Sequence, residues 1–133
     1  ALDVASEGKG EVHLVNVVEL PVMHDTVLMP VLSFEEALLK ELREKAEKQF
    51  EKLIDKYAAD AKVKATVEFG ATAVMIEDYA SEKEIDLIVM GTKGASGVRE
   101  FLIGSNTEKV VRRVACPVIA IKKHVRLADV KNI

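Results

Sequence analysis

The chain has little with which to form a disulfide, stack nucleic-acid bases or span a membrane. Its one cysteine, Cys116, excludes an intrachain disulfide, which suits a reducing compartment, and we expect a cytoplasmic protein. With no tryptophan, two tyrosines, four phenylalanines and a net charge of −3, it has neither an aromatic surface nor a general attraction for nucleic acid. No apolar run approaches the roughly 18 residues that cross a bilayer. We therefore expect neither nucleic acid nor a membrane as a partner.

The composition is typical of one globular domain. Of the 133 residues, 49% are hydrophobic and 31% are charged. Strand-like apolar runs alternate with segments of helical periodicity, which predicts a parallel α/β layout. We expect one domain over residues 1–123 and a tail over 124–133. The predicted strands cover 12–18, 63–69, 86–90 and 117–121, and the predicted helices cover 33–57, 71–83 and 105–114.

The longest predicted helix is recognised by its start and its apolar stripe. Residues 20–32 contain two prolines and are predicted to form a loop. Ser33 and Glu36 then have the spacing of a capping box, in which two side chains bond the free amides of a helix start. Apolar residues recur at steps of three and four along one face, which we expect to be buried: Leu39, Leu42, Ala46, Phe50, Leu53 and Tyr57.

A glycine-rich stretch follows the third predicted strand. Four of the seven glycines lie in residues 91–104, where they allow a ligand to approach the backbone closely. Ser105 and Glu108 have the spacing of a second capping box and predict the start of a helix. The free N–H groups and the positive dipole end of a helix start favour an anion. A strand, a glycine loop and a helix start in this order predict a phosphate site.

No pattern in the sequence predicts catalysis or a metal site. The spacing differs from the P-loop, G-x4-G-K-[ST], and from the dinucleotide motif, G-x-G-x-x-G. The histidines at 13, 24 and 124 have no spacing that joins them into a metal site or an acid–base pair. Cys116 lies between a predicted helix and a predicted strand, and we interpret it as a small core residue. We predict no catalytic residue and no metal ligand.

The full spacing, Gly91-x2-Gly94-x9-Gly104-Ser105, resembles the motif of the ATP-binding branch of the universal stress protein family. The resemblance covers nearly the whole chain, because residues 11–19, 86–91 and 116–121 are similar to the family's second, fourth and last strands. It implies a Rossmann-like parallel sheet in a three-layer α/β sandwich, of the adenine nucleotide alpha hydrolase-like kind.

The resemblance also implies a ligand and a set of contacts. The ligand would be ATP, or its relatives AMP and ADP. Phosphates would lie against the motif glycines and the helix start, and Val17 and Met90 would border the adenine and ribose. The implied binding residues are Val17, Met90, Gly91, Gly94, Gly104, Ser105, Asn106 and Thr107.

Both ends of the sequence depart from the family pattern. The family begins with a strand that carries an aspartate for the ribose and metal, in the middle of a sheet of order 3-2-1-4-5. Residues 1–7 resemble only the end of the helix after that strand. We expect a domain without the first strand, which weakens the expectation of Mg²⁺ binding. Residues 130–133 resemble the opening of such a strand. They would be either the start of a second copy of the domain or a swapped strand that fills the empty position. Our hypothesis is that the chain is a piece of a longer protein.

Three functions stay open at this point. The first is a non-enzymatic, nucleotide-binding regulatory module in a stress response. The second is a slow ATPase or autophosphorylating protein, with Ser105 or Thr107 as acceptor, and the third is a ligand-free dimerisation module. The intact glycine motif counts against the third, and the lack of an evident general base counts against the second. In each case we expect a homodimer through the last strand, residues 117–122, because apolar edge strands invite pairing.

Overall fold

The computed structural model describes residues 1–19, 31–58, 61–92 and 104–121, with the backbone alone for 31–35. The described chain divides after Ala71 into two compact units. The helices are α1 (Leu2–Gly8), α2 (Val31–Tyr57), α3 (Thr72–Glu82) and α4 (Ser105–Arg113), and the strands are β1 (Val12–Val18), β2 (Val63–Phe69), β3 (Ile88–Gly91) and β4 (Val118–Ile121). None of the described helices is both long enough and apolar enough to cross a membrane.

In the first unit, a long helix packs on a pair of parallel strands. β1 and β2 pair over their whole length, from Val12 opposite Val63 to Val18 opposite Phe69. Their apolar, partly β-branched side chains suit a pleated surface that is covered by a helix. The core of this unit joins α2 to β2, and Leu14, Val18 and Phe69 pack against it. Its buried residues are Ala46, Phe50 and Val67.

The predicted stripe of α2 is buried only in part. Ala46 and Phe50 are 4% and 9% exposed, whereas Leu53 and Tyr57 are 48% and 61% exposed. A helix of 27 residues extends about 40 Å at 1.5 Å per residue. The seven-residue strands beneath it extend about 23 Å at 3.3 Å per residue. The helix is therefore longer than the strands that it covers.

The start of α2 also differs from the prediction. The helix begins at Val31, two residues before Ser33, so the capping box predicted from Ser33 and Glu36 does not lie at the helix start. The rest of the predicted loop, residues 20–30, lies outside the described part of the chain.

The chain begins with a short helix, as expected from residues 1–7. α1 ends at Lys9, which has the left-handed conformation with φ 53°. The amide of Gly10 donates to the carbonyl of Ala5 at 2.7 Å, which closes the last turn. This turn leads into β1.

In the second unit, two helices pack together beside a second parallel pair. β3 and β4 pair from Ile88 opposite Val118 to Gly91 opposite Ile121. Nε of Arg113 on α4 donates to Oε2 of Glu77 on α3 at 2.5 Å. The buried residues of this unit are Ala73 and Tyr79 on α3, with Thr107 and Val110 on α4.

The strand pairs agree with the order that the resemblance implies. An order of 3-2-1-4-5 without its first strand leaves two separate pairs, and the described strands form those two pairs, both parallel. The α/β prediction is confirmed. The tail over 124–133, with residues 130–133 as a possible added strand, lies outside the described residues.

Glu11, directly before β1, joins the starts of β1 and β2. Its Oε1 lies 2.6 Å from Nζ of Lys64 and 3.0 Å from Nε2 of His13. The hydrogen bond from Lys64 lowers the pKa of the Glu11 carboxyl below its usual 4.5. Partial desolvation opposes this shift, and the charges of Lys64, His13 and Lys62 add to it. Ionised Glu11 is therefore favoured in the folded protein.

We expect Phe50→Ala to lower the free energy of unfolding by about 3–5 kcal/mol, because it removes a buried aromatic ring from the core. Leu53→Ala is the matched control on the same helix, and because Leu53 is 48% exposed it should cost less than about 1 kcal/mol. Urea unfolding followed by circular dichroism measures both. Equal costs for the two variants would contradict the burial pattern of α2.

We expect Glu11→Gln to destabilise the protein at neutral pH and to have little effect in acid. Because the folded pKa lies below the unfolded value, the carboxylate stabilises the protein above pH 4.5, and this stabilisation is lost as the pH falls through the lowered pKa. Urea unfolding of both proteins from acid to neutral pH measures the difference in their free energies of unfolding. Lys62→Met is the control, since Lys62 is the weakest cause of the shift. A pH-independent loss in Glu11→Gln would indicate packing rather than charge.

Candidate phosphate-binding site

The predicted site lies at the carboxyl end of β3. In parallel sheets, ligands bind beyond the carboxyl ends of the strands, where loops and helix starts meet. β3 ends at Gly91, and α4 begins after Gly104. The residues between them, 93–103, lie outside the described chain and include Gly94. The described part of the site therefore consists of a strand end and a helix start.

Two hydrogen bonds join this strand end to the helix start. Oγ1 of Thr107 donates to the carbonyl of Gly91 at 2.9 Å, and the amide of Gly104 donates to the carbonyl of Thr92 at 2.8 Å. The amide of Thr92 in turn donates to the carbonyl of Ile121 at 3.0 Å, which extends the β3–β4 ladder. Both carbonyls at the end of β3 are therefore occupied by groups of α4.

No side chain among the described residues caps the start of α4. Gly104 is the N-cap residue, with φ −57° and ψ 143°, and no side chain there bonds the helix amides. The amide of Glu108 donates to the carbonyl of Gly104 at 3.1 Å, which is the first turn of the helix. The amides of residues 105–107 precede this bond, so they have no acceptor within the helix. Among the described residues no acceptor for them occurs, and they can donate to a ligand at this end.

The capping box predicted at Ser105 and Glu108 is wrong by one residue. Ser105 is the first helical residue rather than the cap, as its place in α4 shows. The carboxylate of Glu108 pairs with Arg112, at 2.9 Å from Oε1 to Nη2, instead of reaching back to the helix start. Because Ser105 and Glu108 do not form a capping box, the positive end of the helix dipole stays available to an anion.

The predicted binding residues differ in exposure. Gly91 and Ser105 are exposed, Met90 and Asn106 are half-buried, and Thr107 is 3% exposed. These five and Gly104 belong to one unit and surround the strand end and the helix start. Val17 belongs to the other unit, where it is half-buried in β1 opposite Glu68.

A cavity of about 440 Å³ lies at the other end of the same strands. Asp86 and Cys116, which precede β3 and β4, line it together with Glu77 and Arg113. The carboxylates of Glu77 and Asp86 would repel a polyanion, and the guanidinium of Arg113 is already paired with Glu77. The cavity is therefore a poor phosphate site, and half-buried Cys116 belongs to its wall.

No group of three or more histidine, cysteine or acidic side chains that could hold a metal occurs in the described ranges. The donors that the described residues bring to the candidate site are backbone amides, a serine hydroxyl and an asparagine amide. Such donors can bind an anion by hydrogen bonds.

Sequence reasoning missed the part that Thr92 and Thr107 have in joining the two elements. Thr107 lies three residues before Val110, on the stripe of α4 that is buried. A polar residue on a buried stripe needs a hydrogen-bond partner, because an unsatisfied hydroxyl is costly there. The position of Thr107 on the buried stripe could therefore have indicated a hydrogen bond, but not its partner Gly91, which is 16 residues away in the sequence.

Comparisons with known proteins agree on one family. The model of the universal stress protein family matches residues 1–122. The universal stress protein MJ0531 of Methanocaldococcus jannaschii is 32% identical over 123 residues, which cover 92% of this chain and 71% of that protein. The universal stress protein YxiE of Bacillus subtilis is 29% identical, with 92% and 86% covered.

Solved structures show the same fold. That of MJ0577, also from M. jannaschii, superposes with a TM-score of 0.74 at 26% identity, over 93% of this chain and 89% of the other. That of UspA from Lactobacillus plantarum gives 0.71 at 30% identity, over 90% and 83%. The chain therefore has the Rossmann-like α/β fold of these proteins.

Proposed function

The chain belongs to the universal stress protein family, and from this premise we propose that it is a regulatory module that binds ATP or a related adenine nucleotide. The phosphates lie at the start of α4 and the carboxyl end of β3. The adenosine lies towards Met90, as the resemblance to the ATP-binding branch implies. Gly94, which lies outside the described residues, stays a phosphate contact that only the resemblance implies.

The observation that carries this proposal is the start of α4, which no side chain of the described residues caps. Amides 105–107 have no acceptor in the helix, and exposed Gly91 and half-buried Gly104 border them without side chains. A phosphate satisfies several such amides at once and gains from the helix dipole. Ser105, exposed at the first helical position, adds a hydroxyl donor. The residues present therefore fit a phosphate group.

The geometry favours binding over catalysis. Phosphoryl transfer needs a group to position the nucleophile and charges to stabilise the transition state. The Thr107 hydroxyl, a predicted acceptor of phosphate, is 3% exposed and donates its proton to Gly91. Incubation with γ-labelled ATP should yield neither released phosphate nor labelled protein above a no-protein control. Labelling of Ser105 would support the enzymatic alternative.

We extend the proposal to a homodimer through β4. Among the described strands, β4 pairs with β3 alone, so its other edge has no partner there. The carbonyl of Pro117 accepts from the amide of Ile88, and the carbonyl of Ile121 accepts from the amide of Thr92. Because backbone groups alternate along a strand, those of Val118 and Ala120 point to the opposite edge. That edge can pair with a second copy of the chain.

We expect Ser105→Pro to weaken ATP binding by roughly tenfold or more, since it deletes one amide that would donate to an anionic phosphate. Proline is tolerated at a first helical position, and Gly104 already has the extended backbone that precedes proline. Ser105→Ala is the matched control, because it removes the hydroxyl but keeps the amide. Isothermal titration calorimetry, with and without Mg²⁺, measures the affinities.

Two results would contradict the proposed phosphate site. One is an unaltered chain that binds no ATP under these conditions. The other is an equal affinity of Ser105→Ala and Ser105→Pro for ATP, because the amide would then make no contact. Circular dichroism of each variant shows whether it keeps the fold.

We expect Ala120→Pro to turn the dimer into a monomer while the fold is kept. Ala120 is exposed, and its N–H points away from β3, so proline there removes a bond to a partner and none to β3. Ala120→Val retains the amide and should stay dimeric. Light scattering after size-exclusion chromatography gives the masses. A monomeric unaltered chain at micromolar concentration would refute the dimer.

A further inference from the structure

Thr107 is the one buried polar or charged residue among the described ranges of the chain. It is 3% exposed, and its hydroxyl donates to the Gly91 carbonyl at 2.9 Å. A buried hydroxyl without a partner costs free energy, and so does a carbonyl that loses its donor. The Thr107–Gly91 bond is therefore a fixed part of the structure rather than a transient surface contact.

This bond acts together with its neighbour. Thr107 holds the carbonyl of Gly91 while the amide of Gly104 holds the carbonyl of Thr92, at 2.8 Å. Consecutive carbonyls at the end of β3 are thus tied to the cap and to the third residue of α4. Two bonds from two adjacent residues restrain both the distance and the rotation between a strand end and a helix start.

The two hydrogen bonds also affect which backbone groups can face a phosphate at the site. Carbonyl oxygens are the backbone groups that repel a phosphate, and the carbonyls of Gly91 and Thr92 accept hydrogen bonds from the start of α4. The amides of residues 105–107 attract a phosphate, and none of them is used by these two bonds. The Thr107 hydroxyl therefore fixes the helix start without occupying any of the amides that face an anion.

We infer that the side chain of Thr107 positions the phosphate end of the nucleotide site, and that its hydroxyl is neither a ligand of the phosphate nor a phosphoryl acceptor. The inference rests on the proposed function. Thr107 holds the Gly91 carbonyl away from the anion and keeps the start of α4 against β3. Its removal should therefore weaken the binding of a nucleotide through its phosphates and leave the adenosine contacts unchanged.

The test compares ATP with adenosine in three forms of the full chain. Thr107→Val keeps the shape of the side chain but lacks the hydroxyl, so ATP affinity should fall roughly tenfold. Adenosine affinity, measured by NMR titration that reaches the millimolar range, should change by less than about twofold. Thr107→Ser restores the donor, and ATP affinity should return to within about threefold of the unaltered chain. A general loss of structure would lower the affinity for both ligands together.

Each result bears on one of the two proposals. An unaltered chain that binds no ATP overturns the proposed function itself. An unaltered chain that binds ATP, with Thr107→Val at the same affinity, overturns only the positioning role. If Thr107→Val does not fold, Thr107→Ser decides: a folded Thr107→Ser protein with a tenfold loss for ATP refutes a role of the hydroxyl. Transfer of label from γ-labelled ATP to Thr107 would also refute it.

Discussion

The parallel pairing of strands is the constraint on which the rest of the structure depends. Parallel neighbours cannot be joined by a tight turn, so each pair requires a crossover that contains a helix. α2 lies between β1 and β2 in the chain, and α4 lies between β3 and β4. The segment that leaves β3 must therefore lead from a carboxyl end of the sheet to a helix start. Topology, before any particular side chain, places the end of β3 and the start of α4 at the edge where ligands of α/β proteins bind.

The parts of the fold that were predictable are those whose signals are local. β1 and β2 have the predicted bounds, and α4 begins at the predicted Ser105, because apolar runs and a glycine followed by helical periodicity are local patterns. The extent of burial along α2 was not predictable. Periodicity identifies the face that turns inward at Ala46 and Phe50, but only the length of the neighbouring strands decides that Leu53 and Tyr57 are exposed.

The two capping boxes fail for related reasons. The spacing S-x-x-E describes a helix start only when the serine itself has a non-helical backbone. Ser33 lies inside α2, and Ser105 lies one residue inside α4, where Gly104 takes the cap position. The helices were predictable from the pattern, but the register of their first turns was not. At α4, glycine at the cap position leaves the amides of residues 105–107 without a side-chain acceptor among the described residues.

The phosphate site joins two needs that usually conflict. A helix start gains about 1 kcal/mol from a side-chain cap, yet the same cap would occupy the amides that bind an anion. Glycine at position 104 permits the extended backbone of a cap residue and brings no side-chain oxygen. The stability of the junction then has to come from elsewhere, and it comes from the two β3 carbonyls, which accept from Thr107 and from the Gly104 amide. The helix start is held by groups that do not compete with a ligand, so its open amides can serve for recognition.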